Sequence, residues 1–225
     1  LNDQGDVSNN ITLVGGQAAG VPGTVAGFWE AHQRFGQLPW KDLVQPAIEL
    51  ADKGFVPAPI LVESIHSMEQ RFEGKTNFND YFNSISSDSL FRQPELANTL
   101  RRIAEFGADD FYRGETAALI VQQMEKSNGL ISLEDLDAYA AVWRAPVRAG
   151  WRDYEIISAP PPSSGGFAIV QLLKMKDYLS ELFEGVEHNS AQYIHLVAEM
   201  EKRVFADRAE YLGDPDFFDI DIDAL

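Results

Sequence analysis

Two serines and two glycines, Ser163, Ser164, Gly165 and Gly166, follow three consecutive prolines and precede an apolar run at helical spacing, Phe167, Ile169, Val170, Leu172 and Leu173. Tyr154, Ile156 and Ile157 before the prolines have strand character, so residues 156–167 read as a strand, a rigid elbow and a helix start. Pro160, Pro161 and Pro162 donate no N–H and are expected to hold the chain extended. Bare N–H groups at a helix start suit an anion or an oxyanion. A serine there becomes a nucleophile only with a base beside it. The surroundings favour a plainer role. The nucleophile elbow G-x-S-x-G is not met, because Pro162 stands two before Ser164. A phosphate loop would end in Gly-Lys-Ser/Thr, and the first lysine after the elbow is Lys174. The serines are therefore expected to cap a buried helix.

The other reactive side chains assemble no self-sufficient catalytic set. His32, His66, His188 and His195 form no H-E-x-x-H, and His188 and His195 lie seven apart with no carboxylate at ligand spacing. No metal site is expected. Asp219, Asp221 and Asp223 imitate the start of a calcium loop, but Ala224 stands where the loop needs glycine, so an edge strand or tail is expected. Asp207 and Arg208 are expected to pair and orient their helix, with a carboxylate held by Arg208 as the second reading. Between Gly15 and Gly27 small residues dominate without the G-x-G-x-x-G spacing of a dinucleotide site. Close packing against a neighbouring element is the first reading there, and a ligand wall the second.

The elements that position these residues are mostly helices. A short strand is expected at 11–14. Helices follow at 25–35, closed by Gly36, at 40–44, and from Pro46 to a stop at Gly54. Residues 60–72 carry Leu61, Ile65, Met68 and Phe72 at helical spacing, and 77–88, rich in Asn, Ser and Asp, reads as a loop. Helices are expected at 95–106 and 115–126, and Ser132 with Asp135 resembles a capping box opening a helix toward Ala140. Residues 147–158 read as paired strands with Gly150 between them. After the elbow a helix runs to about Leu179. Asn189 and Ser190 cap a long helix with Tyr193, Ile194, Leu196, Val197, Met200 and Val204 facing inward, and Glu199 with Arg203 forms a surface pair.

The chain has 225 residues, 45% of them hydrophobic, enough for a substantial core. Eighteen basic against 35 acidic residues give a net charge of −17. That balance opposes binding to nucleic acid and to anionic membrane surfaces. With no cysteine, the chain contains no disulfide, thiolate metal site or Cys nucleophile. No run approaches the length of a membrane-spanning helix. Position 1 is Leu, so the chain start is expected to reflect processing or where the sequence was cut, with any leader lying outside it.

Four ordered segments carry a family resemblance: residues 18–27 (AAGVPGTVAG), 38–55 (Leu38, Pro39, Trp40, Pro46, Ala51, Gly54, Phe55), 160–166 (PPPSSGG) and 195–217, with Ala206, Asp207, Arg208, Gly213, Asp214 and Pro215. Residues 96–100, Phe111, Tyr112, Gly114, Gly129, Asp137 and Tyr139 fit as well. Together they resemble the large subunit of the gamma-glutamyltranspeptidases, over 18–217. The resemblance implies a precursor that cuts itself into large and small subunits. It implies a small-subunit N-terminal Thr that takes the gamma-glutamyl group of glutathione and passes it to water or an amino acid. Such a Thr uses its own α-amine as base. The family's fold is the αββα sandwich of the N-terminal-nucleophile hydrolases, of which this chain is expected to be an incomplete, helix-rich α+β part, with residues 1–225 as a single unit. Residues 1–17 lack the Arg-Glu motif whose Arg grips the substrate carboxylate, and Thr24, Thr76, Thr99 and Thr116 do not match the nucleophile's context. No catalytic, substrate-binding or metal residue is therefore assigned, and the chain is expected to be inactive alone. The implied partners are the small subunit, gamma-glutamyl compounds such as glutathione, and amino acid acceptors. No cofactor is expected, and family members in bacteria imply a periplasmic or extracellular location. A non-catalytic relative, or an N-terminal-nucleophile acylase for another amide, are the alternatives.

Overall fold

The computed structural model describes residues 13–220. By its internal contacts the chain divides into two units, 1–142 and 143–225.

The first unit is helical. α1 (Thr24–Phe35), α2 (Trp40–Lys53), α3 (Pro59–Phe72), α4 (Phe78–Phe82), α5 (Pro94–Phe106), α6 (Ala108–Arg113), α7 (Glu115–Lys126) and α8 (Leu133–Ala138) follow in order. α2 lies along α5, burying Ile48 and Ala51 against Ala97, Ile103 and Ala104. Pro46 does not begin a new helix: it sits inside α2. A proline there leaves one backbone acceptor unused, and the cost is offset by packing along the whole helix. The Trp40 indole N–H, which donates to the Ile103 carbonyl at 2.8 Å, fixes the first turn on α5. α5 stops at Gly107, whose φ of +65° suits a residue without a Cβ; an added methyl would also meet the Trp29 ring at 2.7 Å. The reversal lets α6 begin at once.

The 77–88 stretch is not wholly loop. α4 forms because Phe72, Phe78, Phe82 and Phe91 stack in a chain of rings 4.9, 4.7 and 5.8 Å apart, and the Phe78 amide donates to the Thr76 hydroxyl. Aromatic packing outweighs the local turn preference of Asn, Ser and Asp. The core of this unit joins α1, α6, α7 and α8 through Ala26, Tyr112, Ala117, Ile131 and Leu136. The strand expected at 11–14 lies partly outside the described residues, and 13–14 form a turn and bend.

The second unit holds a hairpin of β1 (Val147–Trp151) and β2 (Tyr154–Ser158), then α9 (Gly165–Tyr178) and α10 (Ala191–Tyr211). The strands are antiparallel, with Val147 opposite Ser158, Ala149 opposite Ile156 and Trp151 opposite Tyr154. Gly150 lies within β1, and the turn falls at 152–153, with Arg152 at φ +53°. α9 packs on both strands and on α10, and Phe167, Met200 and Val204 are buried there. Ser190 caps α10 by accepting from the Tyr193 amide at 3.2 Å. Ile194, expected inward, is exposed. The whole is a helix-rich α+β arrangement.

Candidate functional site

The elbow lies in the second unit, where β2 hands the chain to α9. It is not an extended run. The peptide bond between Pro161 and Pro162 is cis, and the Ser163 amide donates back to the Pro160 carbonyl at 3.1 Å, which closes a turn. The turn brings Gly166 against the end of β2: a Cβ there would meet the Ala159 carbonyl at 2.8 Å and the Ser158 side chain at 2.9 Å. Only glycine allows α9 to start this close to the strand.

Ser164 occupies the N-cap position of α9, but its hydroxyl makes no cap bond. That expectation is corrected: its Oγ accepts instead from Arg208 Nε on α10, at 2.9 Å. Ser163 takes the capping part weakly, accepting from the Gly165 amide at 3.4 Å. Arg208 reaches Ser164 because α10 runs beside α9, and residues 207 and 208 face its first turns. Asp207 accepts from the Gln171 amide on α9. The expected Asp207–Arg208 pair is thus replaced by two bonds across the helices. Adjacent residues on a helix point about 100° apart, so each finds a separate partner on α9 more readily than it finds the other.

The cluster offers no nucleophile with a base. An arginine remains protonated and only donates, so Arg208 cannot accept the Ser164 proton. Among the described residues no histidine, lysine or carboxylate is hydrogen-bonded to Ser163 or Ser164. The elbow works as a clasp joining strand, helix and helix.

The histidines are dispersed. His32 packs between Trp29 and Trp40, and its Nε2 stands 2.8 Å from the Leu38 carbonyl, which it serves as donor. His66 lies 3.8 Å from Glu69 on α3, and His188 packs its ring on Tyr193. His195 is exposed on α10. Among the described residues, no three His, Asp or Glu side chains converge as a metal site would need. Asp221 and Asp223 lie outside the described residues. Thr24 opens α1, Thr76 precedes α4, Thr99 lies on α5 and Thr116 on α7.

The glycine-rich segment shows the close packing expected of it. A Cβ at Gly16 would meet the Ser127 hydroxyl at 2.4 Å, and one at Gly23 the Tyr139 hydroxyl at 2.1 Å. Between these points the segment is held by Tyr112, which is 3% exposed. Its hydroxyl donates to the Pro22 carbonyl at 2.6 Å and accepts from the Ala26 amide at 3.2 Å. Gly23, at the N-cap of α1, has no side chain to cap with, so Tyr112, 86 residues beyond Ala26, supplies the acceptor for the Ala26 amide. Burial pushes the Tyr112 phenol above its usual pKa, against the opposing pull of the Ala26 bond.

A second buried network lies outside any motif. Asp110, on α6, accepts from the Thr116 hydroxyl, from Arg102 Nε at 3.3 Å and from the Glu115 amide at 3.1 Å. The last bond caps the start of α7. Sequence spacing gives no sign of this set, since residues 102, 110 and 116 share no helix and no period.

A family model described as Gamma-glutamyltranspeptidase matches residues 1–225. The glutathione hydrolase proenzyme of Pseudomonas aeruginosa is 53% identical over 225 residues, covering 100% of this chain and 40% of that protein. The glutathione hydrolase proenzyme of Escherichia coli is 40% identical over 230 residues, covering 100% of this chain and 39% of that protein. The solved gamma-glutamyltranspeptidase from Pseudomonas nitroreducens superposes with a TM-score of 0.96 at 53% identity, over 99% of this chain and 66% of that one. This chain therefore spans about two fifths of the length of the curated relatives it matches. With a family match along its whole length and this agreement in fold, the chain belongs to the gamma-glutamyltranspeptidase family.

Proposed function

We propose that this chain is a large-subunit portion of a proenzyme that transfers the gamma-glutamyl group of glutathione to water or to amino acids. In this reading the two units are parts of one large-subunit body. The chain itself scaffolds a partner subunit and is inactive alone. A periplasmic or extracellular location belongs to the same reading.

The observation that carries it is the incomplete cover of the chain's apolar side chains. Leu130 is 74% exposed, Ile60 73% and Phe28 65%, and further large apolar side chains stand open on α1, α2, α3, α9 and α10. A self-contained binding module would bury such groups or confine them to one patch. The chain's hydroxyls add weight, because neither elbow serine has a base. Both features suit a piece whose remaining surface and whose nucleophile come from another segment.

The test is release of product from a gamma-glutamyl anilide by two purified proteins: residues 1–225, and the product of the longest reading frame that contains them. Activity from the longer protein alone is the expected result. Release by residues 1–225 would overturn the scaffold reading. A longer protein that cleaves a different amide but not the anilide would be an acylase, and one that cleaves neither would be a non-catalytic relative.

A further inference from the structure

Asn128 is the one asparagine in the chain that glycine follows. That pair has a chemistry of its own. The Gly129 nitrogen, once it gives up its proton, can attack the side-chain carbonyl carbon of Asn128, because a glycine has no Cβ to obstruct the approach. A bond forms from that nitrogen to Asn128 Cγ, the Cγ–Nδ2 bond breaks, and the side-chain nitrogen leaves as ammonia with the displaced proton. Water then opens the five-membered imide. Opening at Cγ gives aspartate, and opening at the main-chain carbonyl gives isoaspartate.

The fold governs when the pair reacts. Asn128 is exposed, so water reaches its side chain, but its backbone is left-handed at φ +54° and closes α7. The Gly129 amide donates to the Met124 carbonyl at 2.7 Å and the Asn128 amide to the Glu125 carbonyl at 3.5 Å, the two bonds of a Schellman cap. Attack on Cγ requires the Gly129 bond to break and the peptide between Asn128 and Gly129 to turn. The glycine-rich segment stands against that turn. A Cβ on Gly16 would lie 3.0 Å from Gly129 Cα, and one on Gly129 would lie 3.2 Å from the Gly16 carbonyl. The attacking nitrogen is tied, and its peptide has no room to rotate.

We infer that Asn128 is a deamidation site that the α7 cap holds shut, and that it reacts when Gly16 moves off the cap. The change runs one way. Isoaspartate adds a methylene to the main chain, so the two cap bonds no longer both fit. Either product places a carboxylate at the C-terminal end of α7, where the helix dipole disfavours it. A cap that has opened and reacted therefore stays open.

The experiment uses the product of the longest reading frame containing residues 1–225, aged in mildly alkaline buffer either folded or unfolded in guanidinium chloride. Peptide mapping by mass spectrometry follows loss of the Asn128 amide, and enzymatic methylation of isoaspartate separates the two products. Conversion should be about tenfold or more slower in the folded protein. Gly16→Ala, whose methyl would meet the Ser127 hydroxyl at 2.4 Å and press on Gly129, should speed the folded reaction about threefold or more. Gly20→Ala, whose methyl would meet nothing within 4 Å, should leave it unchanged. A folded protein that converts within about twofold of the unfolded rate overturns the inference, as do an Asn128 that is stable when unfolded and equal rates in the two variants. Should Gly16→Ala fail to fold, hydrogen exchange of the Gly129 amide in the parent protein decides the matter. Slow exchange upholds the closed cap, and exchange as fast as in an unfolded chain overturns it.

Discussion

Replacing Tyr112 with Phe removes one oxygen and leaves the ring, its stack on Tyr139 at 5.5 Å and its burial in place. The oxygen carries two bonds, to the Pro22 carbonyl at 2.6 Å and from the Ala26 amide at 3.2 Å. Ala26 is buried, so its N–H has no water to turn to, and an unmet buried donor costs about 1–3 kcal/mol. Pro22 is only half-buried and can recover part of its bond from solvent, for a loss of about 0.5–1.5 kcal/mol. The sum is about 1.5–4.5 kcal/mol, consistent with losing a helix cap together with a second tie. Because the loss falls on one unit, hydrogen exchange is the suitable assay. The slowest amides of α1 and α6 should exchange about tenfold or more faster in Tyr112→Phe, at about 1.4 kcal/mol per tenfold. Tyr139→Phe, which keeps the stack and disturbs neither bond, should change them little. If Tyr112→Phe shifts α1 exchange by less than about twofold, the hydroxyl is not holding the glycine-rich segment and the reasoning fails.

Two further outcomes follow from local chemistry. Asp110→Ala should destabilise the first unit by about 2–4 kcal/mol, since it uncovers Arg102 within the fold and strips the cap from α7; Arg102 keeps Glu115 and Thr99, which limits the loss. Urea unfolding monitored by circular dichroism reads it, and a loss below about 1 kcal/mol would show the network to be dispensable. Asp135 is held below its usual pKa of 3.8 by the Ser132 amide and hydroxyl, which donate to it at 2.9 and 2.8 Å. A carboxyl depressed on folding stabilises the native state above 3.8 and loses that contribution as pH falls through the folded value, so α8 should fray only in acid below 3.8. In Ser132→Ala the Asp135 titration midpoint, followed by carboxyl carbon shifts, should rise toward 3.8; an unmoved midpoint contradicts the capping box.

Much of the helical framework could be read from residues alone because its signals are local. The 115–126 helix, the long helix from Ser190 and the Ser132–Asp135 box depend on spacing and caps within a few residues. The ordered segments from Ala18 to Phe217 also sufficed for the family, since a set of motifs in sequence requires no coordinates. What the local pattern missed was decided at a distance. Pro46 reads as a boundary, and only the length of α5 beneath it keeps α2 continuous. Residues 77–88 read as a loop until four phenylalanines from separate segments meet. Ser164 reads as a cap, yet its hydroxyl goes to Arg208, 44 residues on, because α10 lies beside α9. Tyr112 and Asp110 were invisible as functional groups for the same reason: their partners sit on other elements, and no periodicity records them. Sequence determined the helices whose caps and spacing are local, and the family the chain belongs to. Tertiary packing decided where each polar group ends, because a buried donor or acceptor takes the nearest partner in space rather than the nearest in the chain.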